Sequence, residues 1–103
     1  MLFRKILLIS LLLIFSSSTL ADPKMDLGLE VYKNKAQCGV CHTLKAAGSD
    51  GQIGPNFDLI KPQIPQIISA VSNGIGVMPP WEGILTHEEI EAVAYYVFNG
   101  TKD

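Results

Sequence analysis

Cys38-Gly39-Val40-Cys41-His42 is the stretch of this chain whose residue types and spacing could do chemistry. Two thiols two residues apart, with a histidine directly after the second, form the pattern of covalent haem attachment. Each thiol can add across one porphyrin vinyl group to make a thioether. The two-residue gap matches the spacing of those vinyls when the backbone makes one helical turn. His42 then lies under the iron as its proximal ligand. Other uses of the five residues fit less well. A thioredoxin-like couple expects a βαβ context, and the flanking sequence has none. A structural zinc site needs four ligands, and only His42 and His87 could join the two cysteines, at a spacing that suits no common finger. The pair could also form a short structural disulfide.

An iron held by His42 wants a sixth ligand. A thioether sulfur is soft and polarisable, and a Met/His pair raises the reduction potential over harder ligands. Met1 and Met25 lie near the start of the chain. Met78 lies far along it, beside Pro79 and Pro80, where the prolines fix the local backbone and can hold one sulfur still over the opposite haem face. His87 is the competing ligand, but it sits beside Glu88 and Glu89 in what reads as the water-facing first turn of a helix. The metal ligands expected are therefore His42 and Met78. Trp81, just after the methionine, either donates its indole N–H to a haem propionate or covers the pocket edge.

The elements that must position these groups are helical. No stretch alternates like a strand beyond a few residues. One helix is expected from Pro23 to Ala36, capped by Asp22 with proline in its first turn. A second, from Pro62 to Asn73, places Ile64, Ile67, Ile68 and Val71 on one stripe and stops at Gly74. A third, from Thr86 to Phe98, begins with a Thr86/Glu89 capping box, buries Ile90, Val93, Ala94 and Val97, and ends at Asn99-Gly100. The glycine-rich segments 45–56 and 75–85 read as loops.

Residues 1–21 read as a secretory signal. Arg4 and Lys5 precede an apolar run from Ile6 to Phe15, and Thr19-Leu20-Ala21 suits cleavage after Ala21. The run is well short of the ~20 residues a spanning helix needs. The remaining residues, 22–103, make one small domain. Losing Arg4 and Lys5 leaves six basic residues against ten acidic ones, a net charge of −4. That excludes the basic footprint of a nucleic-acid binder. With both cysteines committed to haem no disulfide remains, so the macrocycle must serve as the centre of the core.

Taken in order, Cys-x-x-Cys-His after a first helix, Gly54-Pro55-Asn56 after a loop, Met78-Pro79, and a final amphipathic helix containing Tyr96-Val97 resemble a class I c-type cytochrome over essentially all of residues 22–103. The short span from Cys41 to Met78 resembles the small bacterial members. The resemblance implies an all-α small cytochrome c fold, three main helices wrapped around one covalently attached haem c. It implies that the Pro55 carbonyl accepts a hydrogen bond from the proximal imidazole. It also implies that Gly28 and Tyr32 meet the last helix, with Val93 and Tyr96 as partners, or Tyr95 if the register shifts by one. Leu44, Ile53, Leu59, Ile68, Val71 and Ile75 are candidates for the pocket wall.

With both axial positions filled, the chemistry left is one-electron transfer. The expected function is a monomeric periplasmic electron carrier that is not an enzyme, has redox proteins as donor and acceptor, and does not insert in a membrane once the signal is cleaved. The alternatives are a haem c subunit of a larger periplasmic oxidoreductase complex, such as a sulfite or alcohol dehydrogenase, and a haem-based sensor. Lys45 and Lys61 are candidate rim residues for steering an acidic partner.

Overall fold

Helix α1 (Pro23–Glu30) starts where the sequence says it should. Asp22 is its N-cap, accepting from the Met25 N–H at 3.2 Å, and Pro23 stands in the first turn, where its missing N–H costs nothing. The computed structural model describes residues 21–102. The expected signal peptide therefore lies outside the described residues except for Ala21. No helix among the described residues is long and apolar enough to cross a membrane.

The helical run does not stop at Glu30. It loosens into a π turn over Val31–Lys35, closed by Ala36 N–H donating to the Val31 carbonyl at 2.8 Å. Wider turns of this kind re-aim the chain next to functional sites. Gln37 follows in the left-handed region (φ 51°), and the chain drops into the 3₁₀ turn Cys38–Val40.

Beyond it the structure departs from the expected pattern in small ways. Thr43–Leu44 (β1) and Ser49–Asp50 (β2) form a two-residue antiparallel ladder, Thr43 opposite Asp50 and Leu44 opposite Ser49. A short helix, α2 (Phe57–Ile60), follows, its first turn capped by the Asn56 side chain. Helix α3 (Ile64–Asn73) begins two residues later than expected. Gln63 is extended and caps it, because Pro65 has no N–H to donate and is tolerated only in a helix's first turn. Helix α4 (His87–Gly100) has the expected capping box: Glu89 N–H donates to Thr86 Oγ1 at 3.1 Å and Thr86 N–H to Glu89 Oε1 at 2.9 Å. It runs through Asn99 and Gly100, and its C-terminal cap is Thr101.

The core lies where α1 crosses α4 and α4 meets α3. Val31, Tyr32, Ile90, Val93, Ala94 and Val97 are at most 2% exposed. Gly28 makes the crossing possible: a Cβ there would sit 2.2 Å from the Ala92 carbonyl oxygen and 2.5 Å from Tyr96 Cβ. The partners of Gly28 are thus Ala92 and Tyr96 rather than Val93 and Tyr96, a quarter-turn difference that leaves Val93 pointing into the core. The rings of Tyr32 and Tyr96 tilt together at 5.7 Å. Lys35 and Glu89 form an ion pair that ties the end of the π turn to the first turn of α4.

Candidate functional site

The segment Cys38–His42 winds through one turn. Cys41 N–H (3.1 Å) and His42 N–H (3.0 Å) both donate to the Cys38 carbonyl. This puts the two thiols and the imidazole on one side of the turn. Neither cysteine is in a disulfide, and burial pushes the Cys38 thiol up to about 11. A redox couple works through a thiol pushed the other way, so the environment of Cys38 disfavours that use.

A second loop wraps this turn. Gly51 passes so close that a Cβ would meet the Val40 carbonyl oxygen at 2.5 Å. Gly54 N–H donates to the Cys41 carbonyl at 2.7 Å. Tyr32 O–H and Ser49 Oγ share a 2.8 Å hydrogen bond, and Ser49 Oγ also accepts from Leu44 N–H at 3.1 Å. Burial, the largest influence, lifts the Tyr32 phenol to about 12, so this brace stays protonated at any ordinary pH.

The wrapping loop delivers Pro55 to the histidine. The His42 Nδ1–H donates to the Pro55 carbonyl at 2.8 Å, the bond the resemblance implied. A carbonyl can only accept, so Nδ1 carries the proton and Nε2 keeps a free lone pair for a metal. His42 is 8% exposed. Phe57 lies against its ring, centroids 4.2 Å apart and planes 14° from parallel.

Met78 comes from a separate loop. After α3, Gly74 and Gly76 take positive φ (72° and 57°) and turn the chain back. Ile75 and Met78 exchange two backbone hydrogen bonds, of 3.1 and 2.9 Å. Trp81 N–H then donates to the Val71 carbonyl at 2.8 Å, stapling the loop to α3. Cys38, Cys41, His42, Pro55, Met78 and Trp81 all line a single cleft of about 330 Å³. His87 does not reach it. Its side chain is 81% exposed and hydrogen-bonds Glu82 at 2.8 Å, a contact that raises its pKa.

The remaining wall is apolar but differs in part from the sequence expectation. Ile53, Val71 and Ile75 line the cleft, whereas Leu44 is buried in the core, Ile68 packs beside it and Leu59 is 79% exposed. Ile67, Ala70 and Phe57 take their places. Lys61 does not point to the rim: its Nζ donates to the Thr101 carbonyl at 2.7 Å. Phe57 and Gly54 are the residues the sequence reading missed as neighbours of His42. Asn56 signals a helix start at Phe57, but not the direction in which Phe57 points.

The residues present fit a haem. An apolar slot carries two unpaired thiols and an imidazole with its free nitrogen on one wall, and a thioether on a rigid loop elsewhere on its rim. The relatives agree. A family model described as "Cytochrome C oxidase, cbb3-type, subunit III" matches residues 23–97. The chain is 34% identical to cytochrome c6 of Tetradesmus obliquus over 72% of its length and 90% of that protein. It is 33% identical to the chloroplastic cytochrome c6 of Chlamydomonas reinhardtii over 91% of its length and 66% of that protein. Among solved structures it superposes on the c-type cytochrome SorU from Sinorhizobium meliloti with a TM-score of 0.70 and 47% identity, over 77% of this chain and 92% of that one.

Proposed function

This chain belongs to the small monohaem class I c-type cytochromes, and on that premise we propose that it is a periplasmic one-electron carrier with both axial positions of its iron filled from the chain itself. It carries one haem c, bound through Cys38 and Cys41. The group supplies reversible one-electron chemistry between ferrous and ferric iron.

The residues divide the rest of the work. His42 ligates through Nε2, and its bond to the Pro55 carbonyl fixes the tautomer and makes the imidazole more basic. Met78 would supply the second iron ligand from a loop pinned by the Ile75 bridge and the Trp81 staple. The indole N–H of Trp81 makes no hydrogen bond to any described residue, which suits donation to a haem propionate. The apolar wall keeps water from the iron and disfavours the extra charge of the ferric state.

One observation carries the reading. His42 and Met78 line the same cleft, and each is held by hydrogen bonds that its neighbours' sequence dictates. A closed iron has no place for substrate, which argues for a carrier rather than an enzyme. The leader-like residues 1–21 support export to the periplasm, with residues 22–103 as the mature domain, a monomer meeting redox proteins as donor and acceptor. The matching family's description favours a second reading, a haem c subunit of a larger oxidoreductase complex. Copurification with a stable partner separates the two.

Exposing the reduced protein to carbon monoxide at neutral pH tests the closed iron. The visible spectrum stays unchanged over minutes if Met78 holds its position. Rapid formation of a carbonyl complex would instead indicate a labile sixth site and a sensor-like role.

A further inference from the structure

His42 is held by more than its hydrogen bond. The Phe57 phenyl lies nearly parallel to the imidazole, 4.2 Å between centroids. A Cβ on Gly54 would stand 2.5, 2.8 and 2.9 Å from the ring's Cε1, Nδ1 and Nε2, distances that place it over the ring face rather than beyond its edge. The glycine therefore leaves that space to the imidazole. Phe57 is itself fixed. It opens α2, where Asn56 Oδ1 accepts from the N–H groups of Asp58 (2.9 Å) and Leu59 (3.3 Å). The Asp58 carboxylate in turn accepts from the Lys45 N–H at 2.9 Å, tying α2 to the segment that follows His42.

An imidazole bonded to iron at Nε2 and to a carbonyl at Nδ1 keeps one soft rotation, about the line through its ligating nitrogen. A carbonyl accepts over a broad range of directions, so the Pro55 bond alone restrains that rotation weakly. A stacked phenyl restrains it directly, because turning the imidazole drives its edge into the ring. We propose that Phe57 is a positioning residue that sets the plane of the His42 imidazole, and with it the direction in which the axial ligand's π orbitals lie over the haem. The proposal rests on His42 being the proximal ligand.

In low-spin ferric haem that direction governs the splitting of the iron d orbitals. It is read in the g-values of the ferric protein and in the paramagnetic shifts of the haem methyl protons. The exported full-chain holoprotein is compared with Phe57→Leu, which keeps apolar volume without a ring face, and Phe57→Tyr, which keeps the face. Phe57→Leu is expected to move the g-values and reorder the methyl shifts, and Phe57→Tyr to reproduce the parent. Parent-like spectra for Phe57→Leu, or equal displacement in Phe57→Tyr, would overturn the proposal. A second measurement needs no variant: the reduced parent should show cross-relaxation between Phe57 and His42 ring protons, and its absence would overturn the stack. A parent without any low-spin ferric signal would sink the His42 ligation itself, a failure distinct from an unresponsive Phe57.

Discussion

At the scale of single residues, the site is built by what is small as much as by what reacts. His42 is set by a carbonyl, a phenyl and a missing side chain, and each acts through a different force. The Pro55 bond chooses the tautomer, the Phe57 stack chooses the plane, and Gly54 makes room for the ring. The structure predicts that Gly54→Ala, whose Cβ meets the imidazole at 2.5 Å, destabilises the holoprotein by about 1–3 kcal/mol, the usual cost of overpacking. A melting temperature lower by several degrees is the expected reading; an unchanged one would mean that the ring has room to move. The Cys-x-x-Cys-His turn and the proline-stiffened loop that carries Met78 were legible because each is written in a few adjacent residues with strict backbone consequences, whereas the Pro55 position came from the family resemblance. The stack was not legible, since nothing local says which way the first residue of a four-residue helix will point.

At the scale of elements, caps and crossings decide where the loops go. The starts of α1 and α4 were legible from Asp22-Pro23 and Thr86-Glu89, because capping is a short-range hydrogen-bond problem. The π turn, the β1–β2 ladder and α2 were not. A four-residue helix and a two-residue strand span only about one period of their apolar patterns, too little for a repeat to show. The partner of Gly28 came out as Ala92 rather than Val93 because sequence periodicity gives a helix its face but not its rotation against a neighbour. The Lys35–Glu89 pair joins the π turn to α4, and its hydrogen bond and charge lower the Glu89 pKa. A carboxyl lowered in the folded state adds stability above its unfolded pKa, about 4.3 for glutamate, and loses it as pH falls through the lower folded value. Glu89→Gln, which keeps the capping oxygen, should therefore narrow the drop in melting temperature between neutral pH and pH 3. An identical drop in both proteins would show that the pair contributes nothing.

For the whole molecule, the cleft explains why so short a chain needs its haem. With the proposed cleavage after Ala21, a domain of 82 residues would bury only about 60–70% of its unfolded surface, and this one has no disulfide among the described residues. The chain's own packing leaves Ile53, Ile75 and Val77, which line the cleft, 68–87% exposed, apolar surface that the helices do not cover. The haem-free mature chain should be largely unfolded, with a weak far-ultraviolet helix signal and no cooperative melt. A sharp thermal transition in that chain would show that the helices suffice. The second and third main helices were legible from periodicity, the first from its cap, and the all-α cytochrome fold from the family resemblance, but the shape of the cleft was not, because α3 turns Ile67 and Ala70 rather than Ile68 into it.

In the proposed carrier Met78 would hold the iron opposite His42. The ferric visible spectrum of the exported holoprotein, recorded beside Met78→Ala, reads this out. A weak far-red sulfur-to-iron band is expected in the parent, with its complete loss and a lower reduction potential in Met78→Ala. A parent without the band, or a variant that keeps it, would rule that ligation out.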